Sequence, residues 1–382
     1  MVTYPQPVAL TPDEPTRSPA PAAKSTGIRF RSLDAWRGLA CIAVVLHHGS
    51  GDMMLRDPSL ASIAIFKACH CGYYGVAIFF VISGYCIANS ACVDIAGGRG
   101  LGYFAWTRMR RILPPYWLSA LAYALLKLIL LLLFFAGFRR LASLASDHSL
   151  RGDFLFYFSN ATLTQYIFHR TCISPVFWTL CYEAAFYVMV GGAMLVGRRN
   201  RDVLLNVLHG VTLFCIVVSI LGPVSALCYP LDLWPQFGLG ILVYDFISSS
   251  GTASRRAGVW GAIIYAGFIV EALLHKFAIY TQAGTGTFLT AMAFSILLVL
   301  LYRVDLQLVK NRAVALLSKA GKFSYSLYLT HYFILAMLLK LIPSSLLSHH
   351  PYAILLLLLA VPLAFAPLFY RAFEQPFLAP RQ

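Results

Sequence analysis

Long apolar stretches recur along almost the whole chain and constrain its fold more than any other feature. Hydrophobic residues make up 59% of the 382 residues, whereas charged residues make up only 12%. A helix needs about 20 predominantly apolar residues to cross the hydrocarbon core of a bilayer, and several stretches approach that length. The sequence therefore predicts an all-α integral membrane protein.

We predict ten transmembrane helices, an even number that places both termini on one side of the membrane. The predicted spans are residues 31–50, 71–91, 113–137, 177–197, 203–222, 232–249, 257–275, 286–302, 323–342 and 351–371.

The basic residues are distributed unevenly between the two sides that these spans define. Most of the 30 Lys and Arg residues fall in connections on the side of the termini. Connections rich in Lys and Arg stay in the cytoplasm, so both termini are predicted to be cytoplasmic. Topology then explains much of the net charge of +15. It argues against a nucleic-acid partner and for anionic lipid head groups or an anionic cytosolic cofactor.

Two parts of the sequence differ in character. Residues 1–27 are interrupted by repeated prolines and have no apolar periodicity, which predicts a disordered Pro-rich cytoplasmic tail. No signal-peptide pattern is visible there. Residues 28–380 are predicted to form one transmembrane domain. The nine cysteines have no C-x-x-C spacing and suggest no metal site, and a disulfide among Cys69, Cys71 and Cys172 is left open.

Arg37 and His48 stand out in the first span because charged and titratable side chains are costly in hydrocarbon. Their spacing of eleven residues is close to three helical turns, so both side chains share one face, roughly 16 Å apart. This pattern predicts a polar path through a membrane helix.

Glu183 is the one glutamate that lies well inside an apolar span. The predicted topology places it in the outer half of the membrane, at the depth of His48. A carboxylate beside an imidazole can orient it as a general base, and we favour this function over a buried structural partner.

Arg108 and Arg111 precede the third span, and their spacing of three places them on one helical face. Tyr116 follows shortly after. The cluster is equally consistent with cytoplasmic anchoring by an aromatic belt and with binding of phosphate groups by arginine.

Polar residues also recur in the ninth span, which contains Ser326 and His331. From the residues alone, packing is a more frequent role for a lone buried histidine than catalysis. In the second span, small residues around Gly84 predict close helix approach.

Together these motifs resemble the acyltransferase 3 family of integral membrane O-acyltransferases over about residues 30 to 380. The resemblance begins with Leu33-Asp34-x-x-Arg37-Gly38 followed by His48, an Arg-x10-His pattern. The later blocks that are similar to the family are Gly75-Val76 with Phe79-Phe80-x-Ile82-Ser83-Gly84-Tyr85, Arg111-Ile112-x-Pro114, Trp178 with Glu183-x-x-Phe186-Tyr187, Tyr325-Ser326-Leu327-Tyr328-Leu329-x-His331, and Glu374-x-Pro376-Phe377. Thr179 stands where many members have serine.

The resemblance implies transfer of an acyl group, commonly acetyl, from cytoplasmic acyl-CoA to a hydroxyl of a carbohydrate or lipid-linked glycan. It implies a multi-pass protein of the plasma membrane, the inner membrane in bacteria, that modifies polysaccharide. Acyl-CoA is a donor substrate, and no permanently bound cofactor or metal is expected. The resemblance implies these site residues: His48, Arg37 and Glu183 as catalytic, Arg108, Arg111 and Tyr116 as donor-binding, and Ser326 and His331 as substrate-binding.

Two mechanisms remain open: His48 deprotonates the acceptor hydroxyl, or it carries the acyl group covalently. We favour the first because Glu183 is predicted to orient a base. The competing function is a transporter or flippase of a lipid-linked or polysaccharide precursor, since buried polar residues suit that class too. No paired, broken segments indicative of inverted repeats are visible.

Overall fold

The computed structural model describes residues 30–135, 153–197, 200–221, 228–274 and 284–378, and within these ranges the chain is helical without a β-strand. The all-α prediction is therefore confirmed, whereas the predicted tail of residues 1–27 lies outside the described residues. The longer helices are α1 (Leu33–Arg56), α2 (Leu60–Cys69), α3 (Gly75–Ala96), α4 (Leu101–Phe135), α5 (Phe154–Thr162), α6 (Trp178–Gly197), α7 (Arg201–Leu221), α8 (Trp234–Ser248), α9 (Gly251–Leu273), α10 (Gly284–Leu301), α11 (Arg312–Lys322), α12 (Ser324–Leu341) and α13 (Pro351–Phe369).

Seven helical segments within the described ranges are long and apolar enough to cross a membrane, and each overlaps a predicted span. They are Leu33–Arg56, Leu60–Ala96, Pro175–Gly197, Arg201–Leu221, Gly251–Leu273, Gly286–Leu308 and Pro351–Phe377. The other three predicted spans coincide with α4, α8 and α12, although residues 136 and 137 lie outside the described ranges. The total of ten spans and the cytoplasmic placement of the termini stay predictions.

Helix α8 coincides with the predicted span of residues 232–249 but is too short to cross a bilayer. It has 15 residues and is buried continuously from Trp234 to Asp245. At 1.5 Å per residue it extends about 22 Å, short of a hydrocarbon core about 30 Å thick. Its apolar sequence therefore reflects enclosure by other helices, a distinction that hydropathy does not make.

Helix pairs approach closely at glycines. A Cβ atom on Gly321 of α11 would overlap the backbone of Asp34 in α1, and one on Gly38 would overlap the backbone of Leu317. Likewise, Gly84 of α3 faces the carbonyl of Phe237 in α8. The close approach predicted for the second span is confirmed. These contacts set α1 and α3 at the centre of the bundle.

A buried ion cluster joins α7, α8 and α9. The Asp245 carboxylate is fully buried and contacts His209 Nε2 at 3.1 Å and Arg256 Nη2 at 2.8 Å. Arg256 Nη1 also pairs with Asp202 at 2.6 Å, and Arg201 Nη2 donates to Ser248 at 2.6 Å. Opposite charges thus hold the ends of three helices together.

Candidate active site

Two adjoining cavities lie between α1, α3, α4, α6 and α12. The larger holds about 290 Å³, and its charged lining residues are Arg31, Asp34, Arg37, Arg111, Lys322 and Glu374. The smaller holds about 100 Å³ and is more apolar, with Ser83, Glu183 and Tyr328 among its polar lining residues. Arg37 and Arg111 line both cavities. We call the larger one the cationic cavity and the smaller one the inner cavity; the two meet at Arg37 and Arg111.

Arg37 is only partly satisfied by its neighbours. Its Nη1 lies 3.3 Å from the half-buried carboxylate of Asp34, one turn earlier in α1, and its Nη2 donates to Cys86 Sγ at 3.1 Å. A guanidinium has five N–H donors, and a thiol is a weak acceptor. Arg37 therefore has N–H donors left to bind an anionic ligand in the cavity.

Glu183 is held at the inner cavity by two hydroxyl groups. Ser83 Oγ donates to Glu183 Oε1 at 3.0 Å, and the Tyr187 hydroxyl donates to the same oxygen at 2.7 Å. Tyr187 lies one turn further along α6, so helical periodicity sets this pair. Ser83 comes from α3, and its role at the site was missed because its small size suggested only helix packing.

Ser326 holds another carboxylate rather than lining either cavity. It is fully buried, and its Oγ donates to Glu374 Oε2 at 2.5 Å. Glu374 lines the cationic cavity together with Arg37 and Arg111. Glu374 was not predicted as a site residue. The chain has only four glutamates, and that scarcity was the one sequence feature that could have indicated a role for Glu374.

His48 and His331 lie beside one another in adjacent helices. Their ring centroids are 5.5 Å apart, and the ring of Tyr332 lies 5.6 Å from His48. His331 is fully buried, and its Nδ1 is 3.1 Å and 2.8 Å from the carbonyls of Leu327 and Tyr328. Carbonyls only accept, so Nδ1 carries the proton, and Nε2 is buried without a hydrogen-bond partner among the described residues.

The predicted contact between Glu183 and His48 is absent from the described contacts. Glu183 bonds to Ser83 and Tyr187, whereas the ring neighbours of His48 are histidines and Tyr332. A shared membrane depth does not fix which side of a helix faces which neighbour, and the sequence could not supply that rotation. His331 was expected to be a packing residue from the sequence pattern alone and a substrate-binding residue from the family resemblance, and neither expectation included a contact with His48.

Tyr328 connects the inner cavity to the two histidines. It lines that cavity, its hydroxyl contacts Thr179 Oγ1 and the carbonyl of Val176, and its ring lies 5.8 Å from that of His331. His48 does not line either cavity. Tyr328 therefore separates the inner cavity from His331, and His48 lies next to His331.

Two predicted donor-binding residues lie away from both cavities. Arg108 Nη2 donates to Ser90 Oγ, and its guanidinium lies over the ring of Phe104. Tyr116 is buried, and its hydroxyl donates to the carbonyl of Asn160 at 2.6 Å. Only Arg111 of the predicted donor-binding set lines the cavities, because a spacing of three residues still separates two side chains by part of a turn.

Comparison with known proteins identifies the class to which this fold and site correspond. The chain belongs to the acyltransferase 3 family, whose acyltransferase domain it matches over residues 30–370, nearly its whole length. Because its described residues include seven apolar helical segments long enough to span a bilayer, it is a multi-pass membrane protein of this acyltransferase family. No curated protein and no solved structure matches the chain.

Proposed function

We propose that the protein transfers an acetyl group from cytosolic acetyl-CoA to a hydroxyl of a carbohydrate or lipid-linked glycan, in the bacterial inner membrane. The observation that carries this proposal is the sharing of Arg37 and Arg111 by the cationic cavity and the inner cavity. CoA is anionic, and guanidinium groups suit phosphate recognition. The cationic cavity suits the CoA phosphates, and the inner cavity suits the thioester.

The basic groups of the cationic cavity outnumber the acidic ones. Arg31, Arg37, Arg111 and Lys322 line it against Asp34 and Glu374. The excess of positive side chains attracts the anionic donor, while the two carboxylates hold the arginine side chains in place at the cavity. In the predicted topology this cavity opens to the cytoplasm, where acyl-CoA is available.

His48 acts as the general base in this proposal, and His331 takes the orienting role that the sequence assigned to Glu183. Because His331 Nδ1–H is committed to backbone carbonyls, its Nε2 lone pair can accept an N–H from His48. That bond leaves the second nitrogen of His48 unprotonated and able to take the acceptor's proton.

The chemical step then balances without another reactant. The acceptor O–H gives its proton to His48 as its oxygen attacks the thioester carbonyl. The C–S bond breaks, the ester forms, and the departing CoA sulfur takes the proton back from His48. Tyr328 lines the inner cavity and its ring lies 5.8 Å from that of His331, so Tyr328 must shift for the acceptor to reach His48.

The test is release of CoA from acetyl-CoA by the purified protein in lipid vesicles supplied with a bacterial glycan fraction. His48→Ala is expected to lower the rate roughly 10²- to 10⁴-fold, the usual contribution of a positioned acid or base. His331→Phe keeps a ring but removes the acceptor nitrogen, and it should give a smaller loss.

His47→Ala is the matched control, because the His47 ring lies 5.3 Å from that of His48 but its other ring contacts are His70, Tyr73 and Phe66 rather than His331. Unchanged transfer in His48→Ala would refute the base assignment. A burst of CoA release without acceptor, with the acetyl group trapped on His48, would favour the covalent mechanism. Wild type without any donor-dependent release would favour a transporter.

A further inference from the structure

A third cavity lies between α4, α5 and α6, and it shares the lining residue Ile112 with the inner cavity. It holds about 490 Å³ and is lined almost entirely by apolar side chains, with Arg108 as its one charged lining residue. This volume lies within the range of sites that hold drug-sized ligands. Val188 and Leu195, on its outer rim, are 75% and 62% exposed, so this groove faces the bilayer.

Two glycines shape the floor of the groove. Gly191 and Gly192 lie side by side on α6, and a Cβ atom on Gly192 would meet no atom within 4 Å. The space above Gly192 is therefore open, and a lipid chain can lie directly against the helix backbone there.

Arg108 gives the groove a polar end. Its described hydrogen bond uses Nη2 alone, toward the neutral hydroxyl of Ser90, and its Nε is buried without a partner among the described residues. The nearby Asp94 carboxylate is paired with Arg99 at 3.1 Å and is also attracted by the Arg108 charge, without a described hydrogen bond between the two. A guanidinium with free donors beside an apolar channel matches the phosphate and acyl chain of a lipid.

We propose that this groove binds one anionic phospholipid of the cytoplasmic leaflet, with its phosphate on Arg108 and one acyl chain over Gly192. In the predicted topology α4 begins and α6 ends at the cytoplasmic face, so the end of the groove that holds Arg108 lies on that side of the bilayer. Anionic lipids are attracted to basic pockets between helices on that side. The lipid also reaches Tyr187, which lines the groove and bonds to Glu183 of the inner cavity.

The experiment measures lipids retained by the full chain after purification from vesicles of equimolar phosphatidylglycerol and phosphatidylcholine with identical acyl chains. Native mass spectrometry of the wild type should show one retained phosphatidylglycerol, at least fivefold over phosphatidylcholine. Gly192→Leu fills the groove and should abolish retention. Gly210→Leu is the matched control, because a Cβ atom on Gly210 of α7 would also meet no atom within 4 Å.

Arg108→Gln tests the head-group contact separately from the groove. It should bring retention of the two lipids to near equality, and Arg108→Lys should restore part of the preference. Equal retention of both lipids by wild type, or identical behaviour of Gly192→Leu and Gly210→Leu, would overturn the proposal. Displacement of the lipid by palmitoyl-CoA but not by acetyl-CoA would also overturn it, by assigning the groove to a donor acyl chain.

Discussion

Two buried charged regions of this membrane protein are built in opposite ways. In the cluster of α7, α8 and α9, the fully buried Asp245 is enclosed by His209 and Arg256 at 3.1 Å and 2.8 Å. At the two site cavities, Arg37 has a thiol at 3.1 Å and a carboxylate at 3.3 Å. Buried charges must be paired to offset desolvation. In the first region both oxygens of the Asp245 carboxylate are satisfied by protein groups, whereas the second region keeps cationic capacity for a ligand.

The largest expected difference between the two regions is the loss of protein stability when a charge is removed from the α7–α9 cluster. Arg256→Gln removes the nearer of the two arginines beside the Asp245 carboxylate and leaves Arg201 at 3.6 Å, so we expect a cost of up to about 3–5 kcal/mol, the value for breaking a buried pair. We expect a clear fall in the thermal unfolding temperature in vesicles, with the KM for acetyl-CoA unchanged in the remaining folded protein. Arg255→Gln is the control, because Arg255 is exposed and neighbours Arg256. A normal unfolding temperature for Arg256→Gln would break the comparison.

The next effect is on donor binding. Arg111→Gln removes a guanidinium that lines both site cavities, and charge-assisted hydrogen bonds contribute about 1.5–3 kcal/mol. The KM for acetyl-CoA should rise roughly 10- to 100-fold, measured by CoA release. Arg110→Gln, one residue earlier and lining neither cavity, should leave the KM near wild type. Equal effects of the two variants would show that only the general positive charge matters.

The smallest effect concerns the support of Glu374. Ser326→Ala removes the hydrogen bond that fixes this carboxylate in the cationic cavity. A three- to tenfold loss of kcat/KM is expected, about 1 kcal/mol, because the variant loosens a carboxylate of the cavity without removing a cationic group that would contact the donor. Ser326→Thr keeps the hydroxyl and should restore activity. Thr330→Ala is the control on the same helix, since Thr330 donates only to the Ser326 carbonyl.

Periodicity and charge were sufficient to predict much of the fold. Apolar stretches located each long helix, because burial in lipid or protein imposes the same composition on both. They could not distinguish α8, which is enclosed by protein, from a helix that crosses the bilayer. Gly84 was correctly predicted at a close helix contact, since a missing side chain has few other uses in an apolar span.

The site was predictable only where one helix determines the geometry. Arg37 was selected by its cost in an apolar span and Arg111 by its place in an arginine cluster that suits phosphate groups, and both line the cavities. The pairing of His48 with His331 links residues 283 positions apart and depends on how α1 and α12 are rotated. The same limitation explains Arg108, whose side chain faces the lipid groove rather than the cavity of Arg111.

The glycine crossings between α1 and α11 also have a consequence for genetics. Gly38 and Gly321 face backbone atoms, which cannot move aside as a flexible side chain can. Every substitution there should reduce the amount of protein in the membrane, whereas substitutions at His48 should reduce only the modification of the glycan. A saturation mutagenesis scan that scores abundance and activity separately would therefore divide α1 into architectural and chemical positions along a single helix.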